Sequence, residues 1–233
     1  MEKYSIDSKT SYILGVSLIV EALKEIPGEV CKVYLSSKAN HNSELEKLLS
    51  LCNKHNVEVI YDDQIIQKLS LKENCYGIGV FRKYQKDLKT NRHLVLYKYD
   101  NEGELGTIIR SSVSFDFNDI VLIDSNVDIF NPKVIRASMG SFFHVNIKKY
   151  SSLEEYFSEY KYSIYPFTAK GSRELKTIKF TKPYSIIIPG SYNLLDGMFI
   201  DAYYLKHTNQ DEISLTSLTT IVLNYAYHLN LKR

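Results

Sequence analysis

Apolar positions in the first third of the chain switch between two periods. Ile13, Val16, Val20 and Leu23 recur at helical spacing and predict one apolar helix face, which Pro27-Gly28 ends. Val30 to Ser36 then predicts a strand, with Val33 and Leu35 alternating against Lys32 and Tyr34. Ser43 with Glu46 is a capping-box pattern, and it opens a helix carrying Leu45, Leu48, Leu49 and Cys52 on one side. Val57 to Ile60 predicts a short strand, Asp62 and Asp63 favour the start of a helix through Leu69, and Tyr76 to Phe81 predicts a closing strand. This alternation implies a small α/β sandwich over residues 1–85.

The periodicity lapses from Arg82 to Arg92, where five basic residues meet one acid. That stretch predicts a solvated linker over 86–92; an RNA-facing strap is the sharper alternative. Beyond it, strands are expected over His93–Tyr99, Ile120–Asp124, Val145–Lys148 and Tyr184–Ile188. Helices are expected over Glu104–Phe115, from Pro132, around Leu153–Tyr160 and from Ser214 to about Leu229. Leu215, Leu218, Val222, Tyr225 and Leu229 form a stripe on the last helix. Strands separated by helices imply a mostly parallel sheet in a second α/β domain, 93–233. In open sheets of that kind ligands sit beyond the C-terminal strand ends, so the loops after Tyr99, Asp124 and Ile188 are where chemistry is expected.

Composition narrows the field only modestly. The 233 residues are 44% hydrophobic and 24% charged with a net charge of +2, so whole-molecule charge is no argument for nucleic acid. Cys31, Cys52 and Cys75 lack metal-type spacing and suggest buried thiols in a reducing cytoplasm. Six histidines show no HxxxH or HExxH spacing, so no metal site is expected. The Ile13–Leu23 run is broken by Gly15, Ser17 and Glu21, so neither a signal peptide nor a membrane span is expected. Lys170 to Lys182 carries five basic residues and one acid. Arg173 and Lys176 within it, with Arg82, Lys83, Lys86, Lys89 and Arg92, are candidate RNA-phosphate contacts; a solvated charged face is the alternative.

Three loops hold the candidate chemistry. In the first, Gly103 and Gly106 flank Glu104 at a helix start, and Arg110 follows one face on. In the second, Asn131-Pro132 opens a helix, and Arg136 and Gly140, four apart, share a face beside Ala137, Ser138 and Ser141. In the third, the strand ending at Ile188 runs into Pro189-Gly190-Ser191, and Ser214-Leu215-Thr216 follows. Read in order, Gly-x-Leu-Gly-Thr-Ile-Ile-Arg, Asn-Pro-Lys-Val-Ile-Arg-Ala-Ser-Met-Gly, then strand–Gly-Ser and Ser-Leu-Thr resemble the three motifs of the SpoU/TrmH RNA methyltransferases. Residues 1 to about 85 resemble the ribosomal-protein-like substrate-binding domain that often precedes them.

The resemblance implies a trefoil knot in the C-terminal part, a homodimer with its active site near the interface, S-adenosylmethionine held by the knot loops, and methylation of a ribose 2′-hydroxyl in rRNA or tRNA. It implies Arg110, Arg136 and Ser138 as catalytic residues. It also implies Gly140, Ser141, Ile188, Gly190, Ser191, Ser214, Leu215 and Thr216 as cofactor contacts. Four positions depart from the family pattern: Glu104 for Asn, Tyr192 for Glu, Lys206-His207-Thr208 for Ile-Pro-Met, and Thr216 for Asn. These allow a second reading, a catalytically degenerate RNA-binding protein of the same fold. Glu104 could equally act as a base, a task closed to the permanently protonated Arg110.

Overall fold

The computed structural model describes residues 3–70, 75–208 and 213–231. The chain forms two compact units: residues up to 84 together with 128–144, and 85–127 together with 145 onward.

The first unit is built from β1 (Thr10–Leu14), α1 (Val16–Glu25), β2 (Val30–Leu35), α2 (Ser43–Lys54), β3 (Glu58–Tyr61), α3 (Asp63–Leu69) and β4 (Gly77–Arg82). Its sheet has the order β1-β4-β2-β3, with only the β2–β3 pair parallel. Ile13 belongs to β1, not to the helix that follows. Gly15, at φ 125, turns the chain between them, so the apparent helical spacing bridged two elements. The N-cap of α2 is Asn42, whose side chain accepts from Leu45 N–H at 2.9 Å, one residue ahead of the predicted capping box. Asp62 caps α3 in the same way.

The second unit carries β5 (Arg92–Tyr97), α4 (Glu102–Ser114) and β6 (Asp119–Ile123). Next in the chain, α5 (Pro132–Ala137) packs against β1 and belongs to the first unit. The second unit then resumes with β7 (Asn146–Tyr150), α6 (Leu153–Glu159), β8 (Ser163–Pro166), β9 (Arg173–Glu174), β10 (Tyr184–Pro189), β11 (Tyr203–Tyr204) and α7 (Leu215–Leu231). Five strands pair in the order β7-β6-β5-β10-β8, every neighbour parallel. β6 and β10 are buried along their whole length, as a parallel sheet covered on both faces requires. One face packs Val95, Val121, Ile123 and Ile187 against Leu153 and Tyr156 of α6. The alternate residues face the other way, towards the side where α4 and α7 pack together. β8 and the short β9–β11 pair carry no clear alternation in the sequence and were not expected from it.

The helix expected from Pro132 is present as α5, whereas the 86–92 linker and the uninterrupted 93–233 domain are arranged differently. The segment before β5 is pinned to the second unit. Asp119 accepts from the backbone N–H groups of Lys89 (2.7 Å) and Thr90 and from Asn146 Nδ2 (2.7 Å). The continuous domain 93–233 is interrupted, because the apolar side of 128–144 is buried with the first unit. There Phe130, Phe142 and Phe143 pack around Phe81 and Tyr84.

Candidate active site

β5 and β10 are neighbours, yet the chain leaves β5 towards β6 and β7 and returns to β10 only later. The order reverses between them, and the loops at their C-terminal ends part on opposite sides, which opens a crevice. A cleft of about 470 Å³ lies there. Lys98 to Asn101 and Glu104 line it from the β5 side, Gly190, Ser191 and Leu194 from the β10 side, and Ser214 and Leu215 from the start of α7.

The floor is fixed by a close backbone crossing. Gly190 N–H donates to Tyr97 O at 2.7 Å, and a methyl group on its Cα would stand 1.9 Å from Lys98 O. Only glycine fits. β5 and β6 each end in a left-handed residue, Lys98 (φ 51) and Asp124 (φ 48), whose side chains pair at 3.4 Å. The loop after β6 braces the rim: Ser125 Oγ donates to Tyr99 O, and Asn126 N–H to Asp100 Oδ1 at 2.8 Å.

Glu104 sits in the first turn of α4, where a negative charge complements the helix dipole. Asn101 caps that turn by accepting from Glu104 N–H at 3.1 Å. Glu104 Oε2 accepts from the Tyr99 hydroxyl at 2.6 Å. Burial, then the Glu104 carboxylate, holds the Tyr99 phenol well above the usual range, while the Thr216 hydroxyl acts on it in the opposite sense. Tyr99 therefore stays a neutral donor. Tyr192 reaches from the β10 loop to Ile213 O at 2.8 Å and ties that loop to the residue before Ser214.

The other predicted site residues fall elsewhere. Arg110 is exposed on α4, outside the cleft lining. Ile188 is buried in the sheet, in register with Leu96. Arg136, Ser138, Gly140 and Ser141 belong to the first unit. There Ser138 is buried, its hydroxyl donating to Ile135 O at 2.7 Å and accepting from Phe142 N–H at 3.2 Å. Gly140, at φ 93, packs on Glu21 and Leu18. Both hold the turn after α5, where the sequence suggested chemistry.

Several candidate RNA contacts are also occupied. Arg82 pairs with Glu29 and bonds Gly28 O, and Lys83 Nζ donates to Ile6 O at 2.7 Å. Arg92 pairs with Asp116 and lies over the Phe117 ring, largely buried. Arg173 and Lys176 make exposed pairs with Asp201 and Glu174, which cost little to exchange for phosphate. Lys89 is exposed and Lys86 half-buried.

In the first unit His144 places Nε2 2.9 Å from Glu21 and Nδ1 3.6 Å from Glu25. Cys52 is buried, with its thiol pushed up to about 11, whereas Cys31 and Cys75 are half-buried rather than enclosed.

Sequence reasoning missed Tyr99, Lys98 and Leu194. Tyr99 had one signal, its place at the end of a strand and five residues before Glu104; the others had none.

Residues 91–189 match the SpoU rRNA methylase family. The match stops one residue before Gly190. The chain is 24% identical over 208 residues to the 23S rRNA (guanosine(2553)-2′-O)-methyltransferase RlmP of Bacillus subtilis, covering 87% of this chain and 78% of that protein. It is 32% identical over 146 residues to the human mitochondrial rRNA methyltransferase 3, covering 57% of this chain but only 33% of that protein. In fold it resembles the SpoU methyltransferase AviRb of Streptomyces viridochromogenes in complex with AdoMet. The TM-score is 0.82 at 16% identity, over 96% of this chain and 91% of that one.

Proposed function

We propose that this protein is an S-adenosylmethionine-dependent RNA ribose 2′-O-methyltransferase acting on structured RNA. One observation carries the reading: in a chain whose residues 91–189 match the SpoU rRNA methylase family, the cleft at the reversal of strand order is lined by Glu104, Gly190, Ser191, Ser214 and Leu215. The lining suits the methyl donor. Gly190 and Ser191 offer backbone groups at a crossing too close for any side chain, and Leu194 and Leu215 offer apolar cover for an adenine. When bound, the donor supplies an electrophilic methyl group; the chain's residues orient it and exclude water. Thr216, beside Tyr99, and the exposed Arg110 are further candidates, the latter for phosphate.

The same reading includes a homodimer, a knotted C-terminal part, and residues 1–85 as an RNA-docking unit. Because RlmP acts on 23S rRNA, an unmethylated 23S rRNA transcript is the first substrate to try. Among the described residues no helix is long and apolar enough to cross a membrane.

Calorimetric titration with S-adenosylmethionine and S-adenosylhomocysteine tests the reading. One saturable site per chain is expected. No binding at millimolar ligand, with or without the transcript, would overturn it in favour of a binding protein without chemistry. Transcript binding should weaken steeply between about 50 and 200 mM salt, as phosphate contacts require.

A further inference from the structure

Moving a methyl group onto a ribose hydroxyl leaves a proton that something must accept. Resting on the function proposed above, the question becomes which side chain of this cleft takes it. A guanidinium remains protonated at any working pH, so an arginine cannot. Among the described residues lining the cleft there are two carboxylates, Asp100 and Glu104, and no histidine. Asp100 is exposed, and its Oδ1 accepts from Asn126 N–H at 2.8 Å, so it serves the rim. Glu104 is half-buried in the lining. Its Oε2 is held by the Tyr99 hydroxyl at 2.6 Å, and its Oε1 makes no hydrogen bond among the described residues. Tyr99 cannot be the acceptor itself, since its raised phenol keeps its proton.

We propose that Glu104 is the proton acceptor for the ribose 2′-hydroxyl and that Tyr99 is its positioning residue. The proton passes from the 2′-oxygen to Glu104 Oε1 as that oxygen bonds to the methyl carbon. The electron pair of the breaking carbon–sulfur bond stays on sulfur. The products are 2′-O-methylribose, S-adenosylhomocysteine and a protonated Glu104, which returns its proton to water. Tyr99, donating to Oε2, fixes the carboxylate plane so that the second oxygen faces the cleft. An amide at position 104 could hold a ligand but could not accept this proton.

The test uses the full-length protein, tritiated S-adenosylmethionine and an unmethylated 23S rRNA transcript, with single-turnover rates followed against pH. Wild type should show an acid limb, the rate rising about tenfold per pH unit and then levelling off. Glu104→Gln should lose about 10²- to 10⁴-fold in rate. Its thermal midpoint and its affinity for S-adenosylhomocysteine, measured by calorimetry, should stay within about twofold of wild type. Added formate should restore part of the rate in Glu104→Ala, which a merely structural residue would not allow. Tyr99→Phe should lower the single-turnover rate at saturating donor while leaving S-adenosylhomocysteine affinity within about twofold of wild type, because the carboxylate loses the donor that orients it.

A Glu104→Gln variant with a near-normal rate overturns the proposal. So does one whose only defect is a tenfold or greater loss of S-adenosylmethionine affinity, which would make Glu104 a clamp on the donor's positive charge. Wild type that binds no S-adenosylhomocysteine, or binds it and methylates nothing, overturns the parent function instead, and this proposal falls with it.

Discussion

At the residue scale, similar-looking small residues hold different kinds of position. Gly190 lies where a strand end crosses a neighbouring backbone, so that a methyl group on its Cα would stand 1.9 Å from Lys98 O. Gly190→Ala must push the two strand ends apart. It should cost at least about 1–3 kcal/mol in urea denaturation and weaken S-adenosylhomocysteine binding with it. Ser138 looked like a site residue because its neighbours are small and Arg136 is near in sequence. Its hydroxyl instead closes the turn after α5, bonded on both sides. Ser138→Ala strands a buried Phe142 N–H and should lower stability by about 1–3 kcal/mol, with the methyl-transfer rate per folded molecule unchanged. Glycine and serine both mark close backbone approach in a sequence, but what approaches is a tertiary fact.

At the element scale, α4 ties the fold to the site. Asn101 caps it, Glu104 stands in its first turn, and Leu105, Ile108 and Ile109 bury its inner face. Asn101→Ala should fray that turn, lowering stability by about 1 kcal/mol and shifting the thermal midpoint accordingly. Helix caps were partly legible. Asn131-Pro132 and Asp62 stand where the sequence put them, while α2 begins at Asn42 because its side chain reached Leu45 N–H first. Ile13 shows the limit of periodicity. Its spacing to Val16 fits a helix, yet Gly15 separates a strand from a helix there, and both bury their apolar residues in one core.

At the scale of the whole molecule, the second unit's sheet is anchored at the end opposite the cleft by a buried polar network. His93 Nδ1 meets the Tyr156 hydroxyl at 2.8 Å, Tyr156 meets Ser185 at 2.6 Å, and Asp119 Oδ2 lies 3.9 Å from His93 Nε2. Burial lowers the His93 imidazole below its ordinary 6.5, against the pull of Asp119. As pH falls through 6.5 the unfolded chain takes up a proton that the folded one resists. Stability should be level above pH 7 and decline from 6.5 towards 5.5, and His93→Asn should flatten that decline in thermal melts. The recurrence of unbroken apolar runs at Leu94–Leu96, Ile120–Ile123 and Ile186–Ile188 between helical stretches determined by itself that this chain builds a buried parallel sheet, and hence that a ligand crevice lies at its C-terminal loops. It could do so because local side-chain spacing sets which faces must be covered. The strand order was decided only in three dimensions, and with it the crevice between β5 and β10 and the enrolment of 128–144 in the first unit. Those depend on which distant apolar faces bury each other, and no local spacing encodes that choice.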